Sequence, residues 1–169
     1  MIRLALVLLA LLTGGCAGGK ILGYSSASIY PTDVRTVALP IFENTTFDRG
    51  IEFELTDALI KEIESRTPYK VTAEDRADSI LTGVIRRVDL EQLSKSPLTG
   101  LSEEVILSVT IDFEWRDLRS NRLLVERRSF SGSGLFVPSR PTGEPIELGR
   151  FAAVQELARD IVSELQAEW

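Results

Sequence analysis

Residues Glu104–Trp115 read EVILSVTIDFEW. Val105, Leu107, Val109, Ile111, Phe113 and Trp115 take every second place, against mainly polar Glu104, Ser108, Thr110, Asp112 and Glu114. Successive side chains of a strand point to opposite faces, so this run forms one apolar ridge with a polar back. The ridge belongs on a core. The back faces water or a partner.

The flanking chain supplies neighbours for this strand. Asp117–Asn121 (DLRSN) makes a hairpin connection, and Arg122–Phe136 returns as another long strand whose far half carries Ser129, Ser131, Gly132, Ser133 and Gly134. On the other side, Lys95–Gly100 (KSPLTG) is a turn, and Ser79–Leu93 reads as a long strand. Within it Ile80, Val84, Val88 and Leu90 share one face, with Arg86 intruding, while Leu81 and Ile85 take the other. Further out, Ile51, Leu55, Leu59, Ile60 and Ile63 recur at the helical period within Ile51–Arg66, which Thr67-Pro68 ends. Phe151–Trp169 repeats that pattern through Val154, Leu157, Ala158, Ile161, Val162 and Leu165. Val34–Phe42 is a strand interrupted by Pro40, Glu43–Gly50 a loop, Tyr69–Thr72 a short strand, and Val137–Gly149 a long loop. Two amphipathic helices need one apolar surface each. The expected fold is therefore α+β: a two-layer sandwich with both helices on one face of a four-stranded, mostly antiparallel sheet.

Composition narrows the chemistry. The 169 residues contain no histidine and a single cysteine, which removes Ser-His-Asp and Cys-His nucleophilic sites, histidine metal ligands and thiolate clusters. No glycine-rich phosphate cradle occurs. Glu52, Glu54, Asp57, Asp112 and Glu114 read as solvated faces, and the glycines of 99–101 and 132–134 as turn or close-packing positions. The reading is of a protein that is not an enzyme and uses no cofactor or metal.

The N-terminus, MIRLALVLLALLTGGC, places Arg3 before an apolar run from Leu4 to Leu12, then small residues before Cys16. Such a run is too short to span a bilayer, which takes roughly 20 residues, and has the size of a signal-peptide core. A lone cysteine in an exported chain is free, paired with another chain or modified. Its place here points to modification. The stretch resembles a bacterial lipoprotein signal, cut before the cysteine, which is then acylated; it departs in carrying Thr13 where Leu is usual. The expected division is a signal peptide over 1–15, a lipidated N-terminus and tether over 16–30, and a single domain over 31–169. More than one acyl chain would anchor the protein stably. Ala17 lacks the aspartate that marks inner-membrane retention. Without residues 1–15 the chain has 18 Lys/Arg against 25 Asp/Glu, a net of −7. That balance does not suit nucleic-acid binding.

Strands this long exceed what two helices of ordinary length cover. Arg86, Arg87, Arg127 and Arg128 lie on them and are the candidate lipid or partner contacts. Arg127 and Arg128, being neighbours, project to opposite faces.

The segments GYSSASIYPTDVRTVALPIFENTTFDRGIEFELTDALIKEIESRTPYKV (23–71), ADSILTGVIRRVDL (77–90) and VTIDFEWRDLRSNRLL (109–124) resemble the lipopolysaccharide-assembly lipoproteins of the LptE type. That resemblance implies two helices on a four-stranded sheet, lipid anchoring in the outer membrane facing the periplasm, and a large outer-membrane β-barrel as partner. It further implies that the protein plugs the barrel, helps it assemble and assists lipopolysaccharide transfer, with Arg86, Arg87, Arg127 and Arg128 as the residues for any direct contact with the glycolipid. The phrase VALPIFENTT (37–46) is also similar to the TolB-like amino-terminal domain of envelope assembly and secretion lipoproteins. This second likeness ends after the first helix.

Overall fold

A computed structural model describes residues 20–21, 24–25, 30–31, 33–95, 97, 100, 102–138 and 143–166. The leader 1–15 and Cys16 lie outside the described residues, as does most of the tether. Two short strands, β1 (Lys20–Ile21) and β2 (Tyr24–Ser25), pair antiparallel apart from the main sheet. Then follow β3 (Thr36–Ala38), β4 (Glu43–Asn44), α1 (Ile51–Arg66), β5 (Lys70–Thr72), β6 (Ser79–Lys95), β7 (Ser102–Asp117), β8 (Leu123–Phe136) and α2 (Ile146–Glu164).

The fold is α+β with both helices packed on the sheet, as expected. The sheet itself is larger than the expected four strands, and mixed. Its order is β5-β3-β6-β7-β8, with β4 also on β6. β3 pairs parallel with β5 and β6, and β4 parallel with β6; only β6/β7 and β7/β8 are antiparallel. Two causes produce the difference. Helix α1 bridges two neighbouring strands, and a crossover of that kind returns the chain parallel. Pro40, which cannot donate to a ladder, splits the first strand into β3 and β4.

The alternating residues of β7 behave as read: Leu107, Val109, Ile111, Phe113 and Trp115 are all buried. They join Leu55, Leu59 and Ile63 of α1 and Val154, Leu157 and Ile161 of α2 in one core. Trp115 Nε1 donates to Ser79 Oγ at 2.9 Å, and that hydroxyl donates to the Thr36 carbonyl, so even the buried polar group in this row is satisfied. Asp78 fixes β3 beside β6: its carboxylate accepts the Arg35 and Thr36 N–H groups at 3.0 and 3.1 Å, and the Thr36 hydroxyl. Chiefly the Arg35 N–H holds this carboxyl below its ordinary range.

Helix α2 begins five residues earlier than its apolar stripe suggests, at Ile146. Pro145 precedes the first turn in an extended conformation, which a helix start accepts. Gly149, read as part of a loop, is helical, and a Cβ there would meet the Phe136 ring at 2.4 Å.

The domain has two poles. At one, the chain enters: Tyr30 donates its hydroxyl to the Arg66 carbonyl at the end of α1, and its ring edge meets Tyr69 at 5.6 Å. Ser79 pairs with Asp117 near this pole, whereas Lys95 pairs with Ser102 at the far end of the same ladder.

Candidate interaction surfaces

Helices cover one face of the sheet; the other carries its polar rows. Thr82, Glu114 and Glu126 lie abreast on β6, β7 and β8, and Val84 lies beside Asp112. Two bulges crease the sheet at one level. On β6 the register passes from Ile85↔Ile111 to Arg87↔Thr110, leaving Arg86 as an extra residue. On β8 it passes from Ile111↔Phe130 to Phe113↔Arg127, so Arg128 and Ser129 together face Asp112. Ser129 takes a left-handed φ of 52° there. Asp112 ties the two bulges together: it accepts the Ser129 N–H at 2.9 Å and Arg86 Nε at 2.7 Å. The Ser129 N–H first, then Arg86, holds this carboxyl below its ordinary range.

The crease forms a groove of about 670 Å³ on the outer face, lined by Arg86, Asp112, Glu114, Glu126 and Arg128, with Pro40 and Ile41 along one wall. Its charges pair locally, Arg86 with Asp112, Arg116 with Glu114 and Arg128 with Glu126. Of the four arginines singled out in the sequence, Arg86, Arg127 and Arg128 therefore border this groove. Arg87 lies on the same face, 2.7 Å from Asp89. Arg127, opposite Phe113, turns to the helix layer and donates Nε to Glu164 of α2 at 2.8 Å. The neighbours Arg127 and Arg128 do reach opposite faces.

The first bulge also moves side chains that strict alternation keeps together. Ile80 and Val84 stay on the outer face, but Val88 and Leu90 pair with Val109 and Leu107 and so join the helix face. Helix α1 does not extend over them. Beside them the chain leaves the sheet at Thr45, whose N–H and hydroxyl both donate to the Ile85 carbonyl. The loop that follows is tightly held. Asn44 Nδ2 donates to the Asp48 carbonyl and to Glu52 at 2.8 and 2.7 Å, and Asn44 Oδ1 accepts from the Thr46 N–H and hydroxyl. Arg150 of α2 joins Asp48 and Glu54 at 3.2 and 3.0 Å. Glu52 is held below its ordinary range by its own backbone N–H, with Asn44 and the Gly50 N–H adding to it. At the apex of this ordered loop Phe47 is 101% exposed. A second groove, about 440 Å³, runs between Phe47, Ile146 and the β6 residues Val88 and Leu90. Sequence reasoning passed over Asn44 and Phe47, and read Asp112 only as part of a solvated face. Only the phrase FENTTF, an asparagine set between two phenylalanines in a polar loop, hinted at the first two.

Among the described residues no group of His, Cys, Asp and Glu is placed to hold a metal ion, and no helix is long and apolar enough to cross a membrane.

A family model described as LptE, lipopolysaccharide-assembly, matches residues 34–167. No curated protein sequence matches. Among solved structures, the chain is similar to the protein CT253 of Chlamydia trachomatis (TM-score 0.53, 10% identity, 78% of this chain and 95% of that one). It is similar to the PelC dodecamer subunit of Paraburkholderia phytofirmans (TM-score 0.51, 15% identity, 84% and 96%). It is also similar to lipoprotein B of Nitrosomonas europaea (TM-score 0.50, 16% identity, 87% and 92%). At these identities the likeness is one of fold.

Proposed function

The chain belongs to the LptE lipopolysaccharide-assembly family, and from that premise we propose that it plugs and helps assemble an outer-membrane β-barrel that inserts lipopolysaccharide at the cell surface. It does so as a lipoprotein on the periplasmic side of the outer membrane, held by an acylated Cys16 once residues 1–15 are removed. No catalytic step is assigned to it.

The observation that best supports the plug reading is the outer face of the sheet. It is broad, uncovered by helices and charged in locally neutral pairs. Barrel lumens are polar and wet, and ionised side chains are tolerated there. A face whose charges already neutralise one another seats in such a lumen without burying an unpaired ion. If the glycolipid is touched directly, its anionic groups compete with Asp112, Asp89 and Glu126 for Arg86, Arg87 and Arg128 on the outer face, whereas Arg127 reaches Glu164 in the helix layer.

The test is a pull-down of the full chain from host membranes in detergent. The wild type should recover a large outer-membrane barrel in one-to-one ratio, and Arg128→Glu should recover less, with unchanged circular dichroism. Recovery of no barrel would count against the proposal. Mass spectrometry of the mature N-terminus tests the anchor: an unmodified Cys16 would refute it.

A further inference from the structure

We propose that the end of the domain where both helices begin is a docking surface for a partner protein, and that it takes an apolar segment flanked by Lys or Arg. The inference does not depend on the barrel assignment. Large exposed apolar side chains gather at this end. Phe47 stands in the loop before α1, Phe53 in its first turn, and Ile146, Leu148 and Phe151 in the first two turns of α2. Arg150 holds the two helix starts together by pairing with both Asp48 and Glu54. Phe47 and Ile146 border the same groove, which gives the cluster a concave seat.

Single exposed apolar residues are ordinary on a protein surface; a cluster of them marks an interaction site. The order of the loop strengthens that reading. On either side of Phe47, the Thr46 N–H donates to Asn44 and the Asp48 N–H to the Thr46 hydroxyl, while the Asp48 carbonyl accepts from Asn44. The backbone is thus fixed, yet the ring it carries is wholly exposed. Aromatic side chains of this kind are the anchors that interfaces bury at their centres. One held ready in a rigid loop loses little entropy when it docks.

Charge selects the occupant. Residues 47–57 and 144–151 carry six carboxylates against Arg49 and Arg150, a net of −4. Each helix start offsets about half a charge, which leaves this end acidic. An anionic lipid surface attracts Lys and Arg and is repelled by such a rim. A second copy docked end to end sets two acidic rims against each other, and like charges across an interface are costly. A partner segment with aliphatic side chains for the groove, and Lys or Arg beside them, answers both the apolar cluster and its charge.

The experiment places the full chain in zwitterionic nanodiscs and titrates it with a labelled short peptide of leucine and lysine. One control peptide holds leucine and glutamate, another serine and lysine, and protein-free discs set the background. The leucine–lysine peptide should bind roughly tenfold more tightly than either control. Its binding should slow amide exchange across residues 45–54 and 146–151. Phe47→Ser, at a wholly exposed position, should weaken binding by about tenfold with unchanged circular dichroism. Asp57→Lys combined with Glu147→Lys, both at exposed positions, brings the net charge of this end to zero and should erase the preference for lysine over glutamate. No binding, equal binding of all three peptides, protection elsewhere, or binding that survives Phe47→Ser would overturn the proposal. Protection of residues 45–54 by the discs alone would assign the surface to the bilayer and also overturn it. So would dimers in sedimentation that Phe47→Ser dissolves, which would assign it to a second copy.

Discussion

A Cβ on Gly134 would lie 2.1 Å from the Gly149 carbonyl, and one on Gly132 would lie 2.8 Å from Leu157 of the same helix. These two glycines let α2 lie directly on β8. Gly134→Ala should force helix and strand apart and cost about 1–3 kcal/mol in urea unfolding. That role was legible, since two glycines amid serines in a core-facing strand suit close packing better than a ligand loop. The parity of Arg127 and Arg128 was legible too, but their partners were not. Arg127→Glu should set two carboxylates together at Glu164 and cost roughly 1 kcal/mol in the same assay, whereas Arg128→Glu should leave stability unchanged. Asp78 could not have been read at all, because the groups it binds lie 42 and 43 positions away. Its carboxyl is held below the ordinary range, so its contribution is present above the unfolded value near ~3.9 and is lost as pH falls through the lowered folded value. Asp78→Asn should therefore flatten the acid limb of a stability–pH curve below about pH 4.

Whole elements were clearest where one period ran long. The β7 ridge needed only the pattern of apolar residues and α1 that pattern with Thr67-Pro68 to end it; Phe113, next to the last of that ridge, is 2% exposed. Phe113→Ala should cost about 3–5 kcal/mol by chemical denaturation; a loss below 1 kcal/mol would show that the core closes over the gap. The short strands were placed at Val34–Phe42 and Tyr69–Thr72, where β3 and β5 lie, but their pairing was not legible. β3 and β5 have three residues each, too few to display a period, and their parallel pairing is a property of the crossover between them. Bulges hid the rest. A single extra residue at Arg86 transfers Val88 and Leu90 to the other face, and nothing in the local sequence marks that shift. The open groove beside β6 was consequently out of reach of an alternation count.

On the scale of the molecule, the sequence resemblance and the family match agree over almost all of the domain. The sheet is mixed, rather than the four-stranded, mostly antiparallel one expected. β6 alone, 17 residues at ~3.3 Å each, stretches roughly 56 Å from the pole at Ser79 to the pole at Lys95. The chain enters beside Tyr30 and Tyr69, at the first of these poles. A lipid anchor on the tether would thus hold the molecule by one end and leave Lys95 and the Phe47 groove toward the other. An end-held body diffuses in two dimensions, and a tether raises the local concentration of any neighbour within its reach. Residence in the membrane then substitutes for intrinsic tightness. Cys16→Ser should bind a purified partner with an unchanged Kd by calorimetry, yet occupy few of the partner molecules in the cell. A weaker Kd for that variant in detergent would instead make the acyl group part of the interface.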